Sequence, residues 1–206
     1  MTEDANGNWT LAGLASSGAD YTDAILDFLL TTGRLQIVEA DLALYWADGR
    51  ELLLDNIYID LSNDGNRHEA LIQARIAGQP SPFQVLATID GDPRGNFSGN
   101  VYLNASDLDL GEVAGISNLD MDTARRSGDV WMTFNQGSIF DLQANLDNVN
   151  IAATGTGDSA VKTIDLANAS LQFSMRHGAT GQWQAWVNDA EFDWQNRPWG
   201  ANGIYA

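Results

Sequence analysis

The sequence predicts a mostly β chain, laid down as a long antiparallel meander with one short amphipathic helix near its N-terminus. Three observations carry that reading. Apolar residues recur at every second position through most of the 206 residues, in segments separated by Gly, Asn or Asp. The segments follow one another through turns too short for a crossover helix, which makes neighbouring strands antiparallel. One stretch alone, from about Thr22 to Thr32, carries its apolar residues at helical spacing.

That helix comes first. Asp20 or Thr22 can accept hydrogen bonds from the free amides of its first turn. Tyr21, Ile25, Phe28 and Leu29 form an apolar stripe expected to pack against the sheet, and Gly33 can supply a left-handed closing residue. Val38, Ala40, Leu42, Leu44 and Trp46 then share one face of a long strand that stops at Asp48-Gly49, a hairpin signal. Leu53 to Leu61 follows with Ile57, Ile59 and Leu61 in phase. Asn63-Asp64-Gly65-Asn66 turns into His68 to Ala77, where Ala70, Ile72, Ala74 and Ile76 alternate. Pro80-Ser81-Pro82 breaks the pattern before Phe83, Val85, Ala87 and Ile89; after Asp90-Gly91-Asp92-Pro93 come Phe97, Val101 and Leu103.

Residues 106–128 lack sustained alternation and read as a connection between a first half, 1–105, and a second half, 129–206. The second half continues with Val130, Met132 and Phe134, with Phe140, Leu142, Ala144 and Leu146, and with Thr163 to Met175. His177-Gly178-Ala179-Thr180-Gly181 then turns into Gln182 to Trp194. The halves echo each other. Leu54-Asp55-Asn56-Ile57 recurs as Leu146-Asp147-Asn148-Val149 and, more loosely, as Leu166-Ala167-Asn168-Ala169, which suggests one hairpin unit laid down repeatedly.

Composition excludes several functions. There are 28 Asp+Glu against 10 Lys+Arg, a formal charge of −18, and the cations are scattered. Nucleic-acid binding and anchoring to anionic headgroups both need clustered cations. Absence of cysteine removes disulfides, thiol catalysis and Cys-type zinc sites. The run Phe28-Leu29-Leu30 is far short of the roughly 20 residues a membrane helix needs, and Met1-Thr2-Glu3-Asp4 is not the basic start of a signal peptide. The expectation is a soluble single segment, 1–206, of something longer.

Catalytic signals are weak. His68 and His177 stand beside or inside polar turns and read as solvent-exposed. Gly155 to Thr163 imitates a phosphate loop, but Val161 stands where glycine should precede Lys162, and a strand follows instead of a helix. Asp189, Glu191 and Asp193 share one face of a strand and could ligate calcium or act on a glycoside, although the solvated side of a half-buried strand explains them as well. Trp183, Trp186, Trp194 and Trp199 could stack on sugars, but Trp183 and Trp186 differ in parity. No enzymatic activity, cofactor or metal is expected.

A family resemblance rests on Gly7-Asn8-Trp9-Thr10-Leu11-Ala12-Gly13-Leu14, the helix Ile25 to Leu30, the strand Leu35 to Trp46, the closing Ser62 to His68, Gly128-Asp129-Val130-Trp131-Met132, and Gly181-Gln182-Trp183 leading to Trp194 and Trp199. With this order the chain resembles the YhdP branch of the AsmA-like envelope proteins over nearly its whole length. The resemblance implies a periplasmic segment of a protein anchored in the inner membrane. Its sheet would curl into an open, taco-like groove that carries phospholipid toward the outer membrane, with no catalytic residues. The family's membrane helix is missing from this chain, and 106–128 is short for the family.

A curled single sheet leaves its concave apolar face open to acyl chains, whereas a sandwich fills that face with a second layer. The expected lipid-groove lining is Leu42, Leu44, Ile57, Ile59, Ile72, Ile76, Val85, Ile89, Val101, Leu103, Met132, Phe134, Leu142 and Leu146. Expected partners are phospholipid or fatty acyl chains and neighbouring segments of the parent chain. Edge-to-edge self-association through the strand edges near Trp9 to Leu14 and Trp199 to Tyr205 is a further expectation. Two rival readings remain: a carbohydrate-binding or glycan-active β-sandwich built on the C-terminal tryptophans and carboxylate row, and a purely structural or adhesive β domain.

Overall fold

Alternating strands joined by tight turns build one continuous sheet in the computed structural model, which describes residues 1–5, 9–10, 21–109, 120–155, 162–178, 181–194 and 197–205. The elements are β1 (Thr2–Glu3), β2 (Trp9–Thr10), α1 (Tyr21–Thr31), β3 (Arg34–Tyr45), β4 (Glu51–Asp64), β5 (Arg67–Ile76), β6 (Pro82–Gly91), β7 (Phe97–Asp109), β8 (Asp120–Asn135), β9 (Ser138–Gly155), β10 (Lys162–His177), β11 (Trp183–Trp194) and β12 (Arg197–Tyr205). The described residues form a 12-stranded sheet ordered β12-β11-β10-β9-β8-β7-β6-β5-β4-β3-β1-β2. From β3 to β12 every strand pairs antiparallel with the next. The sheet's two ends, β2 and β12, are not joined, so it is open and not a barrel.

Turns alternate between two long borders. One border, called here the helix border, carries the turns after β4, β6, β8 and β10. Gln136 and Gly137 both have positive φ, 52° and 75°, the requirement of the two-residue type I′ hairpin. The far border carries the turns after β3 and β5. There the buried Gln79 donates from Nε2 to the carbonyl of Asp109 at 2.7 Å and accepts from its amide at 3.0 Å, pairing with the end of β7 as a strand would.

The repeated Leu-X-Asn words turn out to be β-bulges. Asn56 and Asn168 have φ of 51° and 52°, and the register shifts at those points on β4 and β10. Glu39 and Asp107 do the same on β3 and β7, and β9 shifts register between Leu146 and Val149. Asn tolerates the left-handed region better than most residues. An extra residue on strand after strand bends and twists the sheet along one line. These bulges also erase alternation, which corrects the expected connection 106–128: residues 106–109 belong to β7 and 120–128 to β8, while 110–119 lie outside the described residues.

Among the described residues no second layer covers the sheet. A compact protein of 22.3 kDa exposes about 9,400 Å², but this chain exposes 13192 Å². Among the described residues no side chain is less than 2% exposed.

Helix α1 occupies Tyr21–Thr31, as its spacing predicts, but of its stripe Leu29 is only half-buried and Phe28 is 58% exposed. Gly33 is not left-handed either. Polar contacts pin the helix instead. The Asn63 amide donates to the carbonyls of Leu29, at 2.7 Å, and Thr32; Arg94 in the β6–β7 turn pairs with Asp27 at 2.7 Å. The described side chains of the stripe are Phe28 and Leu29. The capping residues Asp20 and Thr22 lie outside the described residues or side chains.

Candidate functional site

Side chains on a strand alternate between faces, so the register decides which residues share a surface. Partners run straight across the sheet. Leu35, Leu61, Ala70, Ala87, Val101, Met132, Leu142, Met175 and Ala185 form one row. Beside it on the same face lies a second: Ile37, Ile59, Ile72, Val85, Leu103, Val130, Ala144, Phe173 and Val187. A third holds Ala74, Phe83, Ala105, Gly128, Leu146, Leu171, Ala190 and Ala201. Every member is apolar. At about 4.8 Å per strand, the face runs about 43 Å from β3 to β12.

The opposite face is mixed, with Leu71, Leu86, Tyr102 and Trp131 in one row beside polar ones. One row there reads Gln73, Gln84, Asn104, Asp129, Asn145, Gln172 and Asp189. Asp129 accepts from the Tyr102 hydroxyl at 2.5 Å and from Asn104 Nδ2 at 2.9 Å, and this carboxylate holds the Tyr102 phenol above its ordinary value. Asp60 accepts from Arg34 and Gln36, which keep its carboxyl below the usual range. Arg75 pairs with Asp55 at 2.7 Å and Arg176 with Asp141 at 2.7 Å.

The three apolar rows are buried or half-buried throughout, although no described element stacks on them. Tyr58, Tyr102, Asn104 and Asp129 on the opposite face are half-buried as well, and Trp183 and Trp199 at the ends of the apolar face are 46% and 52% exposed. On the opposite face Leu53 is 40%, Leu86 41% and Trp131 39% exposed. The sheet is open and curled, and its apolar side is called here the inner face. Gly99 and Gly128 mark how closely strands approach there: a Cβ on Gly99 would lie 2.2 Å from the Thr88 carbonyl oxygen, and one on Gly128 2.3 Å from that of Asn145.

The residues expected to line a groove share this apolar face by register. Val85, Leu103, Ile59 and Ile72 are in the second row, Val101, Met132 and Leu142 in the first, and Leu146 in the third. Ile57 pairs with Ala40, Ile76 with Leu54, Leu54 with Leu42, and Leu44 with Leu52, beyond the bulges. Ile89 and Phe134 flank Gly99 near the helix border. Sequence reasoning omitted Leu35, Ile37, Phe83, Leu171, Phe173, Met175 and Val187 from that set. Their alternation was visible, but their phase relative to the other strands is set by pairing.

The rival site assembles only in part: Glu191, Asp193 and Trp199 line one open cleft with Asn168, Phe192, Pro198 and Gly200. Asp189 lies in the polar row, with Glu191 and Asp193 at the same parity on the outer face. Trp183 and Trp199 sit on the inner face near opposite borders, while Trp186 pairs with Ser174 on the outer face. They share no platform; the Trp194 side chain is not among those described. Among the described residues no cluster of three His, Asp or Glu could hold a metal ion, and no described helix is long and apolar enough to cross a membrane.

The YhdP protein family model matches residues 3–206. The chain belongs to the YhdP family. A curated relative, "Intermembrane phospholipid transporter YhdP" of Escherichia coli (strain K12), is 25% identical over 148 residues, which cover 69% of this chain and 11% of the relative. The chain therefore spans about a tenth of that relative's length. No solved structure matches the chain.

Proposed function

We propose that this chain is a non-enzymatic, periplasmic segment of a longer inner-membrane-anchored protein, and that its inner face binds phospholipid acyl chains and passes them along in transport from inner to outer membrane. The observation that carries this reading is the continuous apolar face, on which no described element forms a second layer. Acyl chains supply such a layer. Each methylene moved out of water is worth about 0.8 kcal/mol, so a chain of about 16 carbons gains on the order of 10 kcal/mol without any specific contact. Movement follows from the same physics: when every row offers the same kind of hydrocarbon surface, no station holds the chain much more tightly than the next. Support from outside the geometry comes from family membership and from the transporter whose name describes intermembrane phospholipid transport.

The sheet ends at β12 and β2, beyond which no further strand lies among the described residues, and in a longer protein these ends would continue into neighbouring segments of the same chain. In the isolated chain they favour edge-to-edge self-association; a monomer in sedimentation at high concentration overturns that part. The groove itself is tested by delipidating the protein and offering a fluorescent phospholipid. Saturable uptake, together with lipid found by mass spectrometry in the protein as purified, is expected. Protein that never acquires lipid under either condition removes the reading.

A further inference from the structure

Both histidines of the chain, His68 and His177, stand on the apolar face at its helix border, each two residues beyond the first apolar row. Asn63 pairs with His68, and two strands further the row of His68 reaches Gly99 and Phe134; His177 pairs with Trp183, two residues beyond Met175 of the first apolar row. Neither is the solvated turn residue that the sequence suggests. Both are half-buried strand residues, and His177 meets the Trp183 ring at 5.2 Å. Deeper in the trough the apolar rows carry only hydrocarbon, thioether or glycine. The hydrogen-bonding side chains Asn63, His68 and His177 are thus confined to the strip where the apolar surface stops, and β5 and β10, five strands apart, separate the imidazoles by about 24 Å.

We infer that this strip is a headgroup shelf, on which the phosphodiester of a lipid lying in the trough is met by His68 at one station and His177 at another. The inference rests on the proposed lipid-binding function. An amphiphile aligned with the apolar rows must place its polar end at their border, where residues with an apolar body and a polar tip are suited to meet it. His68 is prepared for an anion. Asn63 Nδ2 donates to the helix carbonyls, so its Oδ1 accepts from His68 Nδ1 at 2.6 Å, and Nε2 is the ring nitrogen left to meet a phosphate oxygen, as a donor in the imidazolium form. The charged groups around it are Asp27 of α1, Asp64 of β4, Arg67, Glu69 and Asp90 of the adjoining strands, and Asp92 and Arg94 of the β6–β7 turn. Arg67 and Arg94 already pair with carboxylates, and Asp92 attracts a charged His68. Near His177 the pair Arg176–Asp141 lies on the outer face.

Two histidines give two ring Cε1–H signals in a carbon-proton spectrum, assignable with H68Q and H177Q. At pH 7 the delipidated chain is titrated with phosphatidylglycerol, with diacylglycerol of the same acyl chains, and with inorganic phosphate. Phosphatidylglycerol is expected to move both signals toward the protonated position while diacylglycerol leaves them in place. Each Gln variant should weaken phosphatidylglycerol about fivefold at its own station, the worth of one hydrogen bond, read as the loss of one of two tight sites while the remaining histidine's signal still moves, with diacylglycerol binding unchanged. If both lipids bind but neither moves the signals, the shelf is overturned and the trough stands. If inorganic phosphate alone moves them equally, the strip is a simple anion site and the inference fails. If neither lipid binds, both readings fall together.

Discussion

The two faces of this sheet share the same strands and backbone hydrogen bonds, yet hold themselves together by different means. On the outer face polar side chains satisfy one another in ladders, with Asp60 and Asp129 each gathering several donors. On the inner face Ile59, Ile72, Val85 and Leu103 touch only hydrocarbon neighbours across the register, and no described element covers them. A soluble domain of this size ordinarily buries such a surface against a second sheet or a helix. The difference teaches that stability and function are divided between the faces: the ladders and bulges hold the curved sheet, and the curved sheet holds open an apolar surface that a compact fold would have consumed.

The comparison breaks most completely if the curl is removed. Gly99→Val or Gly128→Val would drive a side chain into the neighbouring strand's backbone. Each should cost about 3 kcal/mol or more, read as a fall of about 10 °C in the thermal midpoint. An unchanged midpoint would show that the inner strands approach less closely than described. The next largest effect separates the faces by function. Ile59→Asp or Leu103→Asp places a charge in the trough and should weaken phospholipid uptake more than tenfold, because an unpaired carboxylate resists desolvation beneath acyl chains. Leu86→Asp, on the outer face, should stay within about twofold. Equal losses on both faces would remove the distinction.

Gln79→Ala sharpens the structural side. It leaves the amide and carbonyl of Asp109 without the side chain that pairs them and should cost about 1–3 kcal/mol in denaturant unfolding, with lipid affinity retained in the folded protein. Asn63→Ala should be milder and local. Amide exchange in α1 should accelerate while that of the central strands does not change, since the helix end depends on this side chain.

The smallest effect is in pH. The carboxyls of Asp48, Asp60 and Asp92 are held below their ordinary 3.8 by hydrogen bonds and charge from Arg50, Arg34 and Arg94. A depressed folded value stabilises above the unfolded one and is lost as pH falls through it, so their contribution should fade below about pH 4. Tyr102 is raised by Asp129, so its contribution is present below about pH 10 and fades above. Thermal midpoints across pH 2.5 to 11, with Asp60→Asn losing part of the acid slope, check both limbs.

Much of the architecture was legible because strand periodicity is local. Ile72, Ala74 and Ile76 alternate whatever lies beside them, and α1 shows its spacing over Tyr21–Thr31. The stretch 106–128 was illegible for the same reason, since the bulge at Asp107 and the shifts in β8 interrupt the two-residue period that marks a strand. The Leu-X-Asn repeat was visible, but its meaning was hidden: a left-handed Asn is a backbone event, and the letters do not say whether it makes a turn or a bulge. Phe28 shows the converse failure. Helical spacing marks it as a residue to be buried, yet the helix is held by Asn63 and Arg94, partners 35 and 66 residues away.

By itself the sequence determined that this chain is built of antiparallel strands, that one side of them is free of charge, and that catalysis has no obvious seat. Those are consequences of residue type and short-range spacing. Only the tertiary structure decided that the apolar sides of successive strands merge into one surface, that a line of bulges curls it, and that both histidines stand at its border. The reason is register. A strand's neighbours fix which of its two faces is the inside, and that choice is made by hydrogen bonds between segments whose relative phase no single segment contains.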